Sequence, residues 1–238
     1  MFFSIINMEG EFMEKEKYYT YTLDTVVLNI LAFIFAIILI ILVSLTYPSE
    51  FFYIDMNGFM LMILWLILHE IIHMIGFMSS KDVKKENITT GMFLEKGIFY
   101  CMCKQEIPKK VILFSLLLPL TTIGIITLIL GYIFSSSLLV FLSVINISGC
   151  IGDIMMTIFM LKLPKDIKYL DLDDPTSFTI ISKEDISNVK VMGIVKKESG
   201  IYDKENMYAK NKKKIDISKM SLIMLIVIIV LYIATLFI

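Results

Sequence analysis

The sequence has no arginine; all 22 of its basic residues are lysine. It has only two histidines, three cysteines and one tryptophan. Charge is scarce as well, at 19% of residues, and the net charge of −1 excludes a basic footprint for nucleic acid. Three cysteines (Cys101, Cys103 and Cys150) are too few for a disulfide framework, and Cys101-Met102-Cys103 lacks partner ligands for a metal, so all three read as reduced thiols. The abundant residues are apolar ones. They make up 57% of the chain, and the mean hydropathy is +0.80, far above the range of a soluble domain.

Crossing a bilayer takes about 20 apolar residues in a helix. Five runs qualify: Thr25–Thr46, Phe59–Met78, Val111–Phe134, Leu138–Leu161 and Met220–Ile238. The expected fold class is therefore an all-α polytopic membrane protein of about five transmembrane helices. Lysine-bearing and lysine-free connections alternate: two lysines before the first run, none in 47–58, seven in 79–110, none in 135–137 and thirteen in 162–219. By the positive-inside rule the N-terminus is cytoplasmic and the C-terminus outside, in a multi-pass protein of the cell membrane. The organisation expected is a cytoplasmic segment 1–24, a four-helix membrane domain 25–162, a polar cytoplasmic segment 163–219 and a final helix 220–238. Within the polar segment, "SFTII" and "VKVMGIV" look β-like, and Lys212-Lys213-Lys214 reads as a cytoplasmic stop before the last helix. The loop "TTGMFLEKGIFYCMC" reads as two short strands around a turn, a small hairpin between the second and third helices. Its open edge would suit an extended peptide.

Against this background "LWLILHEIIHMIGFM", residues 64–78, is anomalous. It places both histidines and a glutamate in the middle of a span. Among the five runs only Glu70 and Asp153 are acidic, and none holds a lysine. A carboxylate near the bilayer centre costs about 2.5–3.5 kcal/mol on insertion scales, so its default reading is functional.

His69 and His73 are spaced i,i+4 and share a helix face, so both imidazoles can reach one metal ion. Glu70 points about 100° away, where it can take a proton from water beside the ion. No histidine remains for a third ligand, which should then be a carboxylate. Asp153 fits on depth. His69 precedes Met78 by nine residues and Asp153 precedes Lys162 by nine, so both sit roughly 14 Å from the cytoplasmic helix end. Small residues in "NISGCIGD" (Ser148, Gly149 and Gly152) would let the fourth span press against the second. Glu95, in the loop, is the rival ligand. Asn146 lies near enough to bind substrate backbone or to support the ligands, Cys150 reads as packing, and Pro119 as a kink.

"HEIIHMIG" and "NISGCIGD" resemble motifs of a family of small bacterial membrane proteins, the putative zincin peptidases, over roughly residues 59–174. More distantly they are similar to site-2-type intramembrane metalloproteases, although the Leu-Asp-Gly and upstream proline of that group are absent here. The resemblance implies one Zn²⁺ ion on His69, His73 and Asp153, with Glu70 as catalytic base. The function so expected is zinc-dependent hydrolysis of a peptide or membrane-protein substrate within or beside the bilayer, near its cytoplasmic side. Two alternatives remain, a divalent-metal transporter and an inactive membrane scaffold.

Overall fold

The computed structural model describes residues 16–47, 56–93, 98–205 and 207. The fifth expected span, the lysine triplet and Glu95 lie outside them. The chain is not all-α. It is a mixed α/β protein in which apolar helices stand on an antiparallel sheet.

The sheet begins at β1 (Lys17–Leu23), whose "KYYTYTL" is built from aromatic and β-branched residues that favour strand. β1 is an interior strand. The sheet order is β4-β5-β6-β1-β7, with β4 Ile107–Pro108, β5 Lys168–Asp171, β6 Ser177–Ser182 and β7 Ile194–Ile201. Each neighbouring pair is antiparallel, with Tyr21 opposite Phe178 and Tyr169 opposite Ile180. The polar segment after the helices is thus stitched to residues near the N-terminus. "SFTII" falls on β6. "VKVMGIV" is strand only at its end: Val191 bridges to Ile194 across a turn in which Gly193 sits at φ 74°, a conformation that favours glycine, and β7 starts at Ile194.

One face of the sheet carries Tyr21, Tyr169 and Phe178. Tyr21 and Phe178 pack with Phe159 at centroid distances of 4.8 Å and 5.8 Å, and Tyr169 stacks on Phe178 at 5.5 Å. Val111, Ile112, Phe159 and Met160 close this core from the helical side. The aromatic layer is what seats the sheet beneath the helices.

Asp24 ends β1 and caps α1 (Thr25–Thr46), its Oδ1 accepting from the backbone N–H groups of Val26 and Val27. At 22 residues, α1 is about 33 Å long. Most of its side chains, Phe33 and Leu45 among them, are exposed, as expected of a helix that faces lipid. Its C-terminal end packs on the later helices through Val43, Tyr47, Val140 and Val144.

α2 (Met56–Phe77) carries the histidines. It is followed by the hairpin of β2 (Ile88–Phe93) and β3 (Ile98–Cys103). α3 (Lys109–Pro119) runs without a gap through a π-helical stretch, Leu120–Ile126, into α4 (Thr127–Ile133). Three helical columns are long and apolar enough to cross a membrane: Thr25–Thr46, Met60–Phe77 and Lys109–Ile133.

The fourth expected span is not one helix. α5 (Ser137–Gly149) and α6 (Ile151–Lys162) meet at Cys150 with a bend of 45°. The break follows the Ser148-Gly149 pair, a usual place for a kink, where Ser148 Oγ turns back to donate to the Val144 carbonyl. Taken as one bent span, the pair is a fourth candidate. The all-α class fails, and among the described residues three spans are candidates, or four with the bent pair, against the five expected over the whole sequence. Composition reports the long apolar runs; the short strands, masked by them, form the sheet.

Candidate metal centre

α2 and α3 touch at Gly76. A Cβ there would lie 2.5 Å from Ser115 Cα, so only glycine permits this approach. One turn earlier His73 faces the same residue. Its Nδ1 lies 2.8 Å from the Ser115 carbonyl oxygen, and Ser115 Oγ donates back to the His73 carbonyl at 2.9 Å. The Ser115 carbonyl is available for a sequence reason. Its ordinary helical donor would be residue 119, and Pro119 has no N–H.

His69 is anchored in parallel fashion. Its Nδ1 lies 2.9 Å from Asn146 Oδ1, while Asn146 Nδ2 donates to the Pro119 carbonyl at 3.2 Å. That second bond fixes which end of the amide faces the imidazole. A carbonyl oxygen can only accept, so both Nδ1 atoms carry the proton and both neutral rings present a bare Nε2.

Those two Nε2 atoms face each other at 3.0 Å. Asp153, in the first turn of α6, closes the triangle, with Oδ2 3.2 Å from His69 Nε2 and Oδ1 3.4 Å from His73 Nε2. His69 and His73 are buried, and Asp153 Oδ2 is a buried oxygen without a hydrogen-bond donor. Three lone-pair atoms thus converge with no proton between them, an arrangement that calls for a cation. Atoms about 2.0–2.1 Å from one tetrahedral Zn²⁺ stand about 3.3 Å apart, and the observed separations bracket that value. Among the described residues, this is the one group of three such side chains able to hold a metal.

The group opens onto a cavity of about 390 Å³. Glu70 lines it beside the histidines but stays out of the triangle. The N-terminal turns of α1 form the opposite wall, and the β6 face of the sheet lies below. Gly149 and Gly152 also line the cavity and have no neighbour within 4 Å of a would-be Cβ, so they do not serve close helix approach as the sequence suggested. Cys150 is fully buried, near His69 and Asn146.

β3 supplies the remaining wall through Phe99–Met102. Lys104 N–H donates to the Asn87 carbonyl at 2.8 Å, which sets the phase of the ladder: Met102 and Tyr100 point their backbone groups at β2, while Cys103, Cys101 and Phe99 point theirs away. β3 pairs with no second strand, so that edge is open among the described residues. Burial pushes the Cys101 thiol up, helped by the nearby Glu70 and Asp171 carboxyls, and pushes Cys103 up to about 12, so both remain thiols.

Sequence reasoning passed over Ser115, the carbonyl it lends to His73, and Asp171 on β5. The signal for the first was present: a proline four residues after a serine inside a span.

Two buried imidazoles and a carboxylate could hold a metal ion, and donors of these types are the ones metal-dependent hydrolases use. Residues 62–168 match the model of the family described as "Putative zincin peptidase", from within α2 to the start of β5, and the match includes both motifs. No curated protein and no solved structure matches the chain significantly. Zinc metallopeptidase is the activity that goes with that family.

Proposed function

We propose that the chain is a multi-pass zinc peptidase of the cell membrane, N-terminus cytoplasmic, that hydrolyses a peptide or membrane-protein substrate near the cytoplasmic side. The observation that carries this reading is the convergence of His69 Nε2, His73 Nε2 and the Asp153 carboxylate beside Glu70 in one cavity. The lysine-rich hairpin loop and the segment after α6 support the orientation.

His69, His73 and Asp153 would hold one Zn²⁺. When bound, zinc polarises the scissile carbonyl and acidifies water. Glu70 accepts a proton from the attacking water and returns it to the leaving amine. Asn146 and the Ser115 carbonyl keep both Nδ1 atoms protonated, so that both Nε2 lone pairs stay aimed at the ion. The open edge of β3 takes the substrate as an added strand, its backbone paired with Phe99 and Cys101.

Glu70→Gln tests the assignment. A peptide library incubated with the detergent-purified protein and read by mass spectrometry should show cleavage that falls by about 100-fold or more in the variant, with zinc content unchanged. Equal cleavage, or zinc lost with the carboxylate, would remove Glu70 from its role.

A further inference from the structure

The open edge of β3 is closed at one point. Cys103 N–H, which points away from β2, donates to Asp171 Oδ2 at 2.7 Å. Asp171 is the last residue of β5, so this bond joins the large sheet to the hairpin. Its other oxygen accepts the Tyr169 hydroxyl at 2.5 Å. Asp171 is buried, lines the cavity and forms no ion pair among the described residues; Lys104, close by, is paired with Asp173.

A peptide pairing with β3 therefore meets free backbone groups at Phe99 and Cys101 and a carboxylate at Cys103. The next rung of the ladder is taken. A chain running on in strand form would bring its own carbonyl oxygen against the Asp171 carboxylate, two acceptors with no hydrogen between them. A positively charged donor at the same place would instead find two carboxylate oxygens with lone pairs to spare and little competing water.

Resting on the peptidase reading above, we propose that Asp171 is a specificity-determining residue: it ends the substrate strand after Cys101 and selects an ammonium group at that position. The ammonium has two sources, the free amino terminus of the substrate or a lysine side chain within it. Burial, the main influence on this carboxyl, pushes it up to about 6 despite the two hydrogen bonds it accepts and the Lys104 cation nearby, so an arriving cation would be favoured by the charge it bears near neutral pH.

The test uses the full-length, zinc-loaded protein in detergent and short alanine peptide hydroxamates, whose hydroxamate binds the metal. Di- and tripeptide versions are compared in three forms: free amino terminus, acetylated, and acetylated with lysine first. Wild type should bind an ammonium-bearing form about tenfold or more tighter than the acetylated alanine form at one of the two lengths. Asp171→Asn keeps an acceptor for Cys103 N–H; it should erase that preference by weakening the ammonium-bearing forms, while the acetylated alanine form, no longer facing a carboxylate, binds as well or better. Tighter binding of the free amino form assigns the cation to a chain end, and of the lysine form to a side chain. Wild type without discrimination at either length overturns the proposal, as does an Asp171→Asn variant that weakens every probe equally, the mark of a mere tether. Failure of every hydroxamate to bind would instead remove the metal site, and this proposal with it.

Discussion

Asn146 Oδ1 accepts the Nδ1 proton of His69 at 2.9 Å, and the same side chain donates to the Pro119 carbonyl. One amide thus couples the histidine-bearing helix α2 to the point where α3 becomes π-helical. Asn146 ties the Pro119 carbonyl, at the start of the π segment, to the imidazole it orients.

Asn146→Ala removes both bonds. It should lower zinc affinity by about 10–100-fold, measured by competition with a chromogenic chelator. Asn146→Asp keeps an acceptor for Nδ1 and should retain more affinity than the alanine variant. Equal affinity in both variants and wild type would show that the amide does not orient His69.

Gly76 lies against Ser115 on the neighbouring helix. Because the clash falls on backbone, Gly76→Ala must move α2 from α3 and draw His73 Nδ1 from the Ser115 carbonyl. The expected loss of stability is about 1–3 kcal/mol, read by thermal unfolding in detergent, with weakened zinc binding alongside. An unchanged melting temperature would mean that the two helices do not meet there as described.

The metal-site half of the molecule was largely legible in the sequence, and the sheet was not. His69, Glu70, His73 and Asp153 stand out because ionisable side chains in apolar runs are costly, so each must have a reason. Shared depth on two helices then sufficed to bring Asp153 to the histidines. Tyr19 and Tyr21 carry no comparable signal. "KYYTYTL" has the residues of a strand, but its place inside a sheet follows only from its partners Phe178 and Ile180, more than 150 residues away. Pairing at such separation leaves no local pattern. Asp171 was hidden for the same reason, since its meaning lies in a bond to Cys103 across 68 residues.

Asp171 also makes stability depend on pH. With its carboxyl pushed up to about 6 by burial, the folded chain still holds a proton at pH 5 that the unfolded chain has released. Asp171 therefore favours folding below the ordinary carboxylate range and loses that contribution as pH rises through about 6. Asparagine cannot ionise. Relative to wild type, Asp171→Asn should gain on the order of 1–3 kcal/mol between pH 4 and pH 8, by thermal unfolding at each pH. A difference that stays flat across this range would mean the carboxyl titrates alike in folded and unfolded chains.

The central claim is that His69, His73 and Asp153 enclose one zinc ion, and metal analysis of the detergent-purified chain tests it most directly. Wild type should carry about one zinc per chain, and His69→Ala and Asp153→Ala should each carry almost none while remaining folded by circular dichroism. A wild-type protein that binds no zinc when it is supplied, or an Asp153→Ala variant that keeps its full complement, would contradict the account.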